Sequence, residues 1–382
     1  METIPYSGDM GGWGGPVRWE ASADGVCERP VSRAATIKDV ARRAEVGVAT
    51  VSRVLSGSGP VSPATRERVL RAVRELEYRP SALGRSLKTQ RTGSIGLVVG
   101  EITDPFCAEL AAGVLACART LGEHVLLDAA HDDPAREAEI VDRLVEQRVD
   151  GIIAIPTGHG DRWRAAMRAG VAVVFADRAP AELPEIPSVL ADDAAGVRSA
   201  VEYLAGLGHR RIGFLGTTAP GAAPGTDAGV REATFRTALA ERGLAPEEDL
   251  VVRARPSRDS AFAAAAGLLQ RRPDLTAVLA ATHLLGEAAV LVARELDLRI
   301  PADVSIVMVD DVPWAELCDP PLTAVARPGR DMGYRACEVL LRDPARRERG
   351  RPVVLPTELV IRGSCGPRTG MPGGAARSAR TR

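Results

Sequence analysis

A chain of 382 residues is long enough for two or three domains and for a sizeable buried core. With 45% apolar and 26% charged residues, its composition is that of an ordinary water-soluble globular protein. The formal net charge of −1 makes no overall case for nucleic acid, but its distribution does: residues 36–92 carry 12 Lys+Arg against 5 Asp+Glu, and residues 93–382 carry 34 against 40. A basic headpiece on an acidic body is the electrostatic footprint of a DNA-binding module joined to something else.

Residues 1–35 are Gly-rich, aperiodic and hold two isolated Trp, which reads as a disordered extension, with a start at Val31 as the alternative. From Thr36 the pattern sharpens. Ile37, Val40, Ala41 and Ala44 recur at i, i+3, i+4 and i+7, the stripe of a short amphipathic helix. A break at Glu45-Val46-Gly47 leads into a second helix, about Val48 to Leu55, with Val51, Val54 and Leu55 inward. Its other face carries Ala49, Thr50, Ser52 and Arg53. Small residues allow close approach to a major groove, and the Arg fork matches guanine O6/N7. An ordinary core hairpin is the competing reading. Ser62-Pro63 then opens a third helix with a Val69, Val73 and Leu76 stripe. Together residues 36–80 form a compact helix-turn-helix headpiece. Residues 81–93 are read as a hinge helix, SALGRSL with Leu83 and Leu87 at i, i+4, followed by a linker.

From Ile95 onward, strands alternate with helices. Apolar runs at 95–99, 124–129, 151–155, 171–177, 187–193, 211–216, 250–253, 277–281 and 305–309 are separated by helical stretches of about 10–15 residues. This predicts an α/β body over 94–365, made of two doubly wound, parallel-sheet lobes with a ligand cleft at the carboxyl ends of the strands. Residues 366–382 read as a disordered basic tail. There is no G-x-G-x-x-G after the first strand, no P-loop and no metal-ligand spacing among the five His and six Cys. No enzyme, cofactor or metal is therefore expected. Asp192-Asp193 and Asp310-Asp311 could serve a metal or acid–base chemistry, but helix caps and polar ligand contacts fit better. The scattered cysteines point to reduced, buried thiols. No apolar run approaches a membrane span and no signal sequence opens the chain, so a cytoplasmic location is expected.

The motifs TIKDVARRAEVGVATVSRVLSG, VSPATRERVLRAVRELEYRPSALGRSL, TGSIGLVVGEITDPFCAEL, LGHRRIGFLG and PADVSIVMVDDVPWAELCDPPLTAVARP occur in order. From Thr36 to about Ser364 the chain resembles the LacI/GalR transcriptional regulators, whose body is similar to periplasmic sugar-binding proteins. The resemblance implies a homodimer, or a tetramer, in which each headpiece reads half of a near-palindromic operator. It places Val48, Ala49 and Arg53 at base edges and Thr36, Thr50 and Ser52 at phosphate-contacting or supporting positions. Arg85 would face phosphates, and Leu87 would wedge into the minor groove. In the cleft it assigns an effector, a sugar or related metabolite, to Phe106, Asp177, Arg231 and Asp310. Each has a plainer alternative: core packing for Phe106, turn capping for the two Asp and a salt-bridged helix start for Arg231.

The chain also departs from the family pattern. Glu45 stands where Gly is usual, Gly47 where Ser caps the recognition helix, Gly84 lies in the hinge, and Thr282-His283 replaces the common Asn-Asp pair. Residues 217–228 are Ala/Gly/Pro-rich. The expected function is an effector-controlled repressor of transcription without membrane contact. A solute-binding component of a transporter and a sugar- or nucleoside-modifying enzyme are the alternatives.

Overall fold

The computed structural model describes residues 35–57, 59–78, 91–157, 160–218, 227–245, 247–342 and 352–368, the side chains of 227 and 228 excepted. They fall into two compact units, divided between Gly84 and Arg85. Residues 1–34 of the expected extension, the hinge through residue 90 (with Arg85 and Leu87), residues 369–382 of the expected tail and the Ala/Gly/Pro-rich 219–226 lie outside the described residues. Residues 366–368, read from the sequence as part of a disordered tail, are instead fixed in place, Arg368 N–H donating to Leu207 C=O at 2.7 Å.

The first unit holds α1 (Ile37–Arg43), α2 (Val48–Ser56) and α3 (Pro63–Glu75). Thr36 and Asp39 form a reciprocal capping box at the start of α1, which satisfies amides that the first helical turn leaves unpaired. The helix ends in a Schellman turn: Val46 N–H donates to Ala41 C=O at 3.0 Å and Glu45 N–H to Arg42 C=O at 3.3 Å. Such a turn needs a left-handed residue, and Glu45 supplies it at φ 54°. Ser62 caps α3, with proline following at its first position. Val40, Val51 and Val69, one from each helix, are fully buried together.

The second unit contains two six-stranded sheets among the described residues, in the orders β11-β5-β4-β3-β1-β2 and β12-β10-β9-β8-β6-β7. The first lobe has β1 (Ser94–Val99), α4 (Pro105–Leu121), β2 (His124–Ala129), α5 (Pro134–Glu146), β3 (Gly151–Ala154), α6 (Gly160–Arg168), β4 (Ala172–Ala176) and β5 (Ser188–Ala191). The second has α7 (Asp193–Gly206), β6 (Ile212–Thr217), α8 (Asp227–Glu241), β7 (Val251–Ala254), α9 (Arg258–Arg271), β8 (Ala277–Ala280), α10 (His283–Glu295), β9 (Ser305–Val309), α11 (Pro313–Leu317) and β10 (Thr323–Ala326). The chain then returns to the first lobe with α12 (Gly329–Arg342) and β11 (Val353–Leu355), and re-enters the second with β12 (Glu358–Val360).

Strand side chains alternate between faces, and both faces of the central strands of the first sheet are buried. Ile95, Leu97 and Val99 join the core under α4 and α12, whereas Val98 joins the core under α5 and α6. Pairing is parallel throughout the first sheet, for example Leu97 with Ile153, while β12 runs antiparallel to β10 in the second. The elements after residue 309, absent from the strand-and-helix reading of the sequence, are those that stitch the lobes together. Among the described residues no helix is long and apolar enough to cross a membrane.

Candidate functional site

Two sites emerge, one in each unit. In the first, α2 buries Val51 and Val54 and leaves the opposite face uncovered by its own unit. Val48, Ala49 and Arg53 are exposed, and Thr50 and Ser52 are half-buried. Arg53 Nε lies 3.4 Å from Ala49 C=O of its own helix. The recognition set expected from the sequence therefore shares one solvent-facing surface. Thr36 is committed locally, because its hydroxyl donates to Asp39 Oδ2 at 2.7 Å. Gly47 caps α2 without a side-chain bond, and a Cβ built there would meet nothing within 4 Å.

In the second unit, the strand ends of both lobes open onto one cleft of about 640 Å³. Asp177 follows β4 and Asp310 follows β9, equivalent strands of the two lobes by sheet order. Both adopt left-handed backbone, at φ 67° and 73°. Their amides donate to Val189 and Val325, respectively, on the neighbouring strand. Left-handed geometry costs a non-glycine residue about 1 kcal/mol or more and is found where structure over-determines it, often at functional sites. Here it aims two carboxylates at one cation.

That cation is Arg327, from the chain crossing between β10 and α12. Its Nη2 lies 2.6 Å from Asp177 Oδ1, and its Nε lies 3.2 Å from Asp310 Oδ1 and 3.8 Å from Asp193 Oδ1. Its guanidinium carbon stands 3.8 Å from the centroid of the Phe106 ring, a cation–π contact. Asp193 also receives Arg231, with Nε at 2.8 Å and Nη2 at 2.7 Å, and Arg231 donates on to Ala281 C=O at 2.9 Å. All five charged side chains are at least nine-tenths buried. Burial alone would raise the Asp310 carboxyl, but Arg327, His283 and Arg231 pull it well below the usual carboxylate range. His283 Nδ1 is 3.8 Å from Asp310 Oδ2. Burial opposes charge on this imidazole, yet Asp310, with Asp104 and Glu287, outweighs it and raises the pKa above the ordinary value.

The structure thus brings Phe106, Asp177, Arg231 and Asp310 to one cleft, all with internal partners. Phe106 is buried yet edges the cavity, Arg231 is salt-bridged and lines it, and neither Asp serves as a helix cap. Asp192 does cap, accepting from Ala195 N–H at 3.0 Å, and Asp311 pairs with Arg362. Arg327 and Trp314, which sequence reasoning did not name, also line the cleft; Asp193, read there as one of a pair of acids, floors it, and His283, read as a departure from the family pattern, lines it. No local signal in the sequence singled out Arg327, whose partner Asp177 lies 150 residues away. No group of three or more His, Cys, Asp or Glu among the described residues could hold a metal ion. Cys107 on α4 is buried, which pushes its thiol up to about 12.

Comparison with known proteins gives the same division. Residues 36–81 match the model for bacterial regulatory proteins of the lacI family, and residues 201–365 match that of a periplasmic binding protein-like domain. The transcriptional regulator CelR of Thermobifida fusca is 38% identical over 344 residues, covering 87% of this chain and 98% of CelR. A solved CelR–cellobiose complex is 35% identical, with a TM-score of 0.64 over 86% of this chain and 99% of that one. The lac repressor dimer bound to operator and the anti-inducer ONPF is 27% identical, with a TM-score of 0.76 over 87% and 99%. With a recognition surface, a two-lobed cleft and relatives matched over nearly their whole length, the chain belongs to the LacI family of helix-turn-helix transcriptional regulators.

Proposed function

We propose that the protein is a homodimeric repressor in the cytoplasm, where each α2 reads half of a near-palindromic operator and an uncharged, sugar-like effector in the cleft controls binding. Val48, Ala49 and Arg53 face base edges, and Thr50 and Ser52 support contacts to phosphates. Thr36 sets the position of α1. Leu87 wedges into the minor groove, Arg85 faces phosphates, and a tetramer is two such dimers. The observation that carries the effector reading is the self-paired charge of the cleft. Four of its lining arginines already hold a carboxylate: Arg178 with Asp132, Arg231 with Asp193, Arg258 with Glu287 and Arg327 with Asp177. A phosphate or carboxylate ligand on any of these four would have to break its pair, which leaves the exposed Arg255 as the remaining arginine of the lining, whereas hydroxyl groups can bridge the pairs using spare lone pairs and N–H groups.

The test is selection of bound sequences from random duplex DNA by the full-length protein, followed by competition with unphosphorylated and phosphorylated sugars. Selected sites should be near-palindromes, and affinity should fall by about 10³-fold or more between roughly 50 and 200 mM salt. Arg53→Ala should weaken the selected site by about 1–3 kcal/mol and random DNA little. A neutral sugar should change operator affinity where its phosphate does not. Salt-independent binding, equal losses on both DNAs or response only to the phosphorylated sugar would each count against the corresponding part.

A further inference from the structure

We infer that Trp314 is the surface on which the ring of the effector packs, since Arg327 already occupies one face of Phe106. This rests on the reading of the cleft as an effector site. The aromatic rings of phenylalanine and tryptophan that line it among the described residues are those of Phe106 and Trp314. Phe106 is only 9% exposed, and its ring is covered by the Arg327 guanidinium at 3.8 Å. That guanidinium is pinned by Asp177 and Asp310, one from each lobe, so it cannot leave without uncovering two buried carboxylates. The Gly329 backbone also lies against the ring, where even an added Cβ would stand 3.2 Å from Phe106 Cδ2. The Phe106 face under Arg327 is therefore closed to a ligand ring.

Trp314 is placed differently. It is the second residue of α11, half-buried against the second-lobe core and open to the cleft. Its base is rigid, because Ala315 is fully buried and its C=O accepts from Leu322 N–H at 2.8 Å. The Arg327–Asp310–His283 cluster borders the same cavity. An apolar indole face beside a charge-balanced polar floor fits a ligand with one C–H-rich ring face and hydroxyls around its edge, such as a pyranose.

The chain reports on this residue by its own fluorescence. Of its four tryptophans, Trp13 and Trp19 precede the headpiece and Trp163 is fully buried, edge-on to Phe175. The full-length protein is screened by thermal shift with cellobiose, D-glucose and D-ribose, and any sugar that raises Tm is titrated into wild type, Trp314→Phe, Trp314→Ala and Asp310→Asn. Trp314→Ala should weaken binding about tenfold or more, and Trp314→Phe by less than about threefold. The wild-type emission change on binding should vanish in Trp314→Phe, a readout that remains if the alanine variant fails to fold. Wild-type affinity in Trp314→Ala, or an emission change that survives in Trp314→Phe, overturns the inference. If Asp310→Asn loses binding while Trp314→Ala keeps it, the cleft reading stands and only Trp314 falls. If no sugar raises the wild-type Tm, both fall.

Discussion

At Glu45 the backbone takes φ 54° to close the α1 turn, a conformation that glycine adopts freely and glutamate does not. The cost was visible in the sequence through the family resemblance, which puts glycine where Glu45 stands. Glu45→Gly should stabilise the headpiece by about 1 kcal/mol, read as about fivefold greater hydrogen-exchange protection of α1 and α2 amides in the full-length protein. Gly47→Ser should add a few tenths of a kcal/mol through a cap bond, since the space there is open. Unchanged protection in both would remove the idea that this turn departs from optimum. Arg327 is the opposite kind of residue, invisible in local pattern because its partner Asp177 lies 150 residues away. Arg327→Gln should destabilise the body by about 3–5 kcal/mol at neutral pH by taking from Asp177 and Asp310 the cation nearest each. The deficit should shrink as pH falls, because carboxylates no longer held ionised by Arg327 take up protons more readily. Thermal melts of the variant between pH 5 and 8 check both statements; a deficit that grows on acidification would sink them.

The strand-and-helix alternation from Ile95 to Val309 was legible because each apolar run has the length of a buried strand and each intervening stretch a helical stripe. What sequence could not reveal was the routing after Val309. Met332, Ala336, Val339 and Leu340 have helical spacing, yet nothing local says that their helix, α12, returns to the first lobe. The glycines explain how it fits. A Cβ at Gly113 of α4 would stand 1.9 Å from Arg330 C=O, and one at Gly333 of α12 would stand 1.9 Å from Leu110 C=O. The two helices touch backbone to backbone through these positions, so neither can carry a methyl group without separating. Gly333→Ala should therefore cost about 3 kcal/mol or more in denaturant unfolding of the body. Gly206→Ala in α7, where an added Cβ meets nothing within 4 Å, should be neutral or stabilising by about 0.4–1 kcal/mol. Equal effects at the two sites would mean that helix propensity, not interhelical contact, governs both.

For the molecule as a whole, the second lobe holds a buried histidine and a half-buried one whose environments give its stability opposite dependences on pH. His209 accepts burial only as the neutral imidazole. Desolvation, with the Arg368 charge adding to it, brings its pKa down to about 4, while Nδ1 stays 2.9 Å from Thr276 Oγ1. The stability it contributes is complete above the unfolded-chain value of about 6.5 and is lost as pH falls toward 4. His283 works the other way. Its pKa is raised despite burial by Asp310, Asp104 and Glu287, so its contribution is complete below about 6.5 and disappears as pH rises through the folded-state value. Full-length wild type, His209→Asn and His283→Asn should therefore diverge in a defined pattern. The Tm gap between wild type and His283→Asn should be widest near pH 6 and narrow toward pH 8.5. The gap for His209→Asn should be widest above pH 7 and narrow toward pH 4.5. Because His283 also lines the cleft, a bound sugar that keeps the His283–Asp310 pair should raise all melting curves without moving the pH at which the His283 gap closes. A ligand that shifts that pH must instead displace or add a proton at the pair, and the direction of the shift says which.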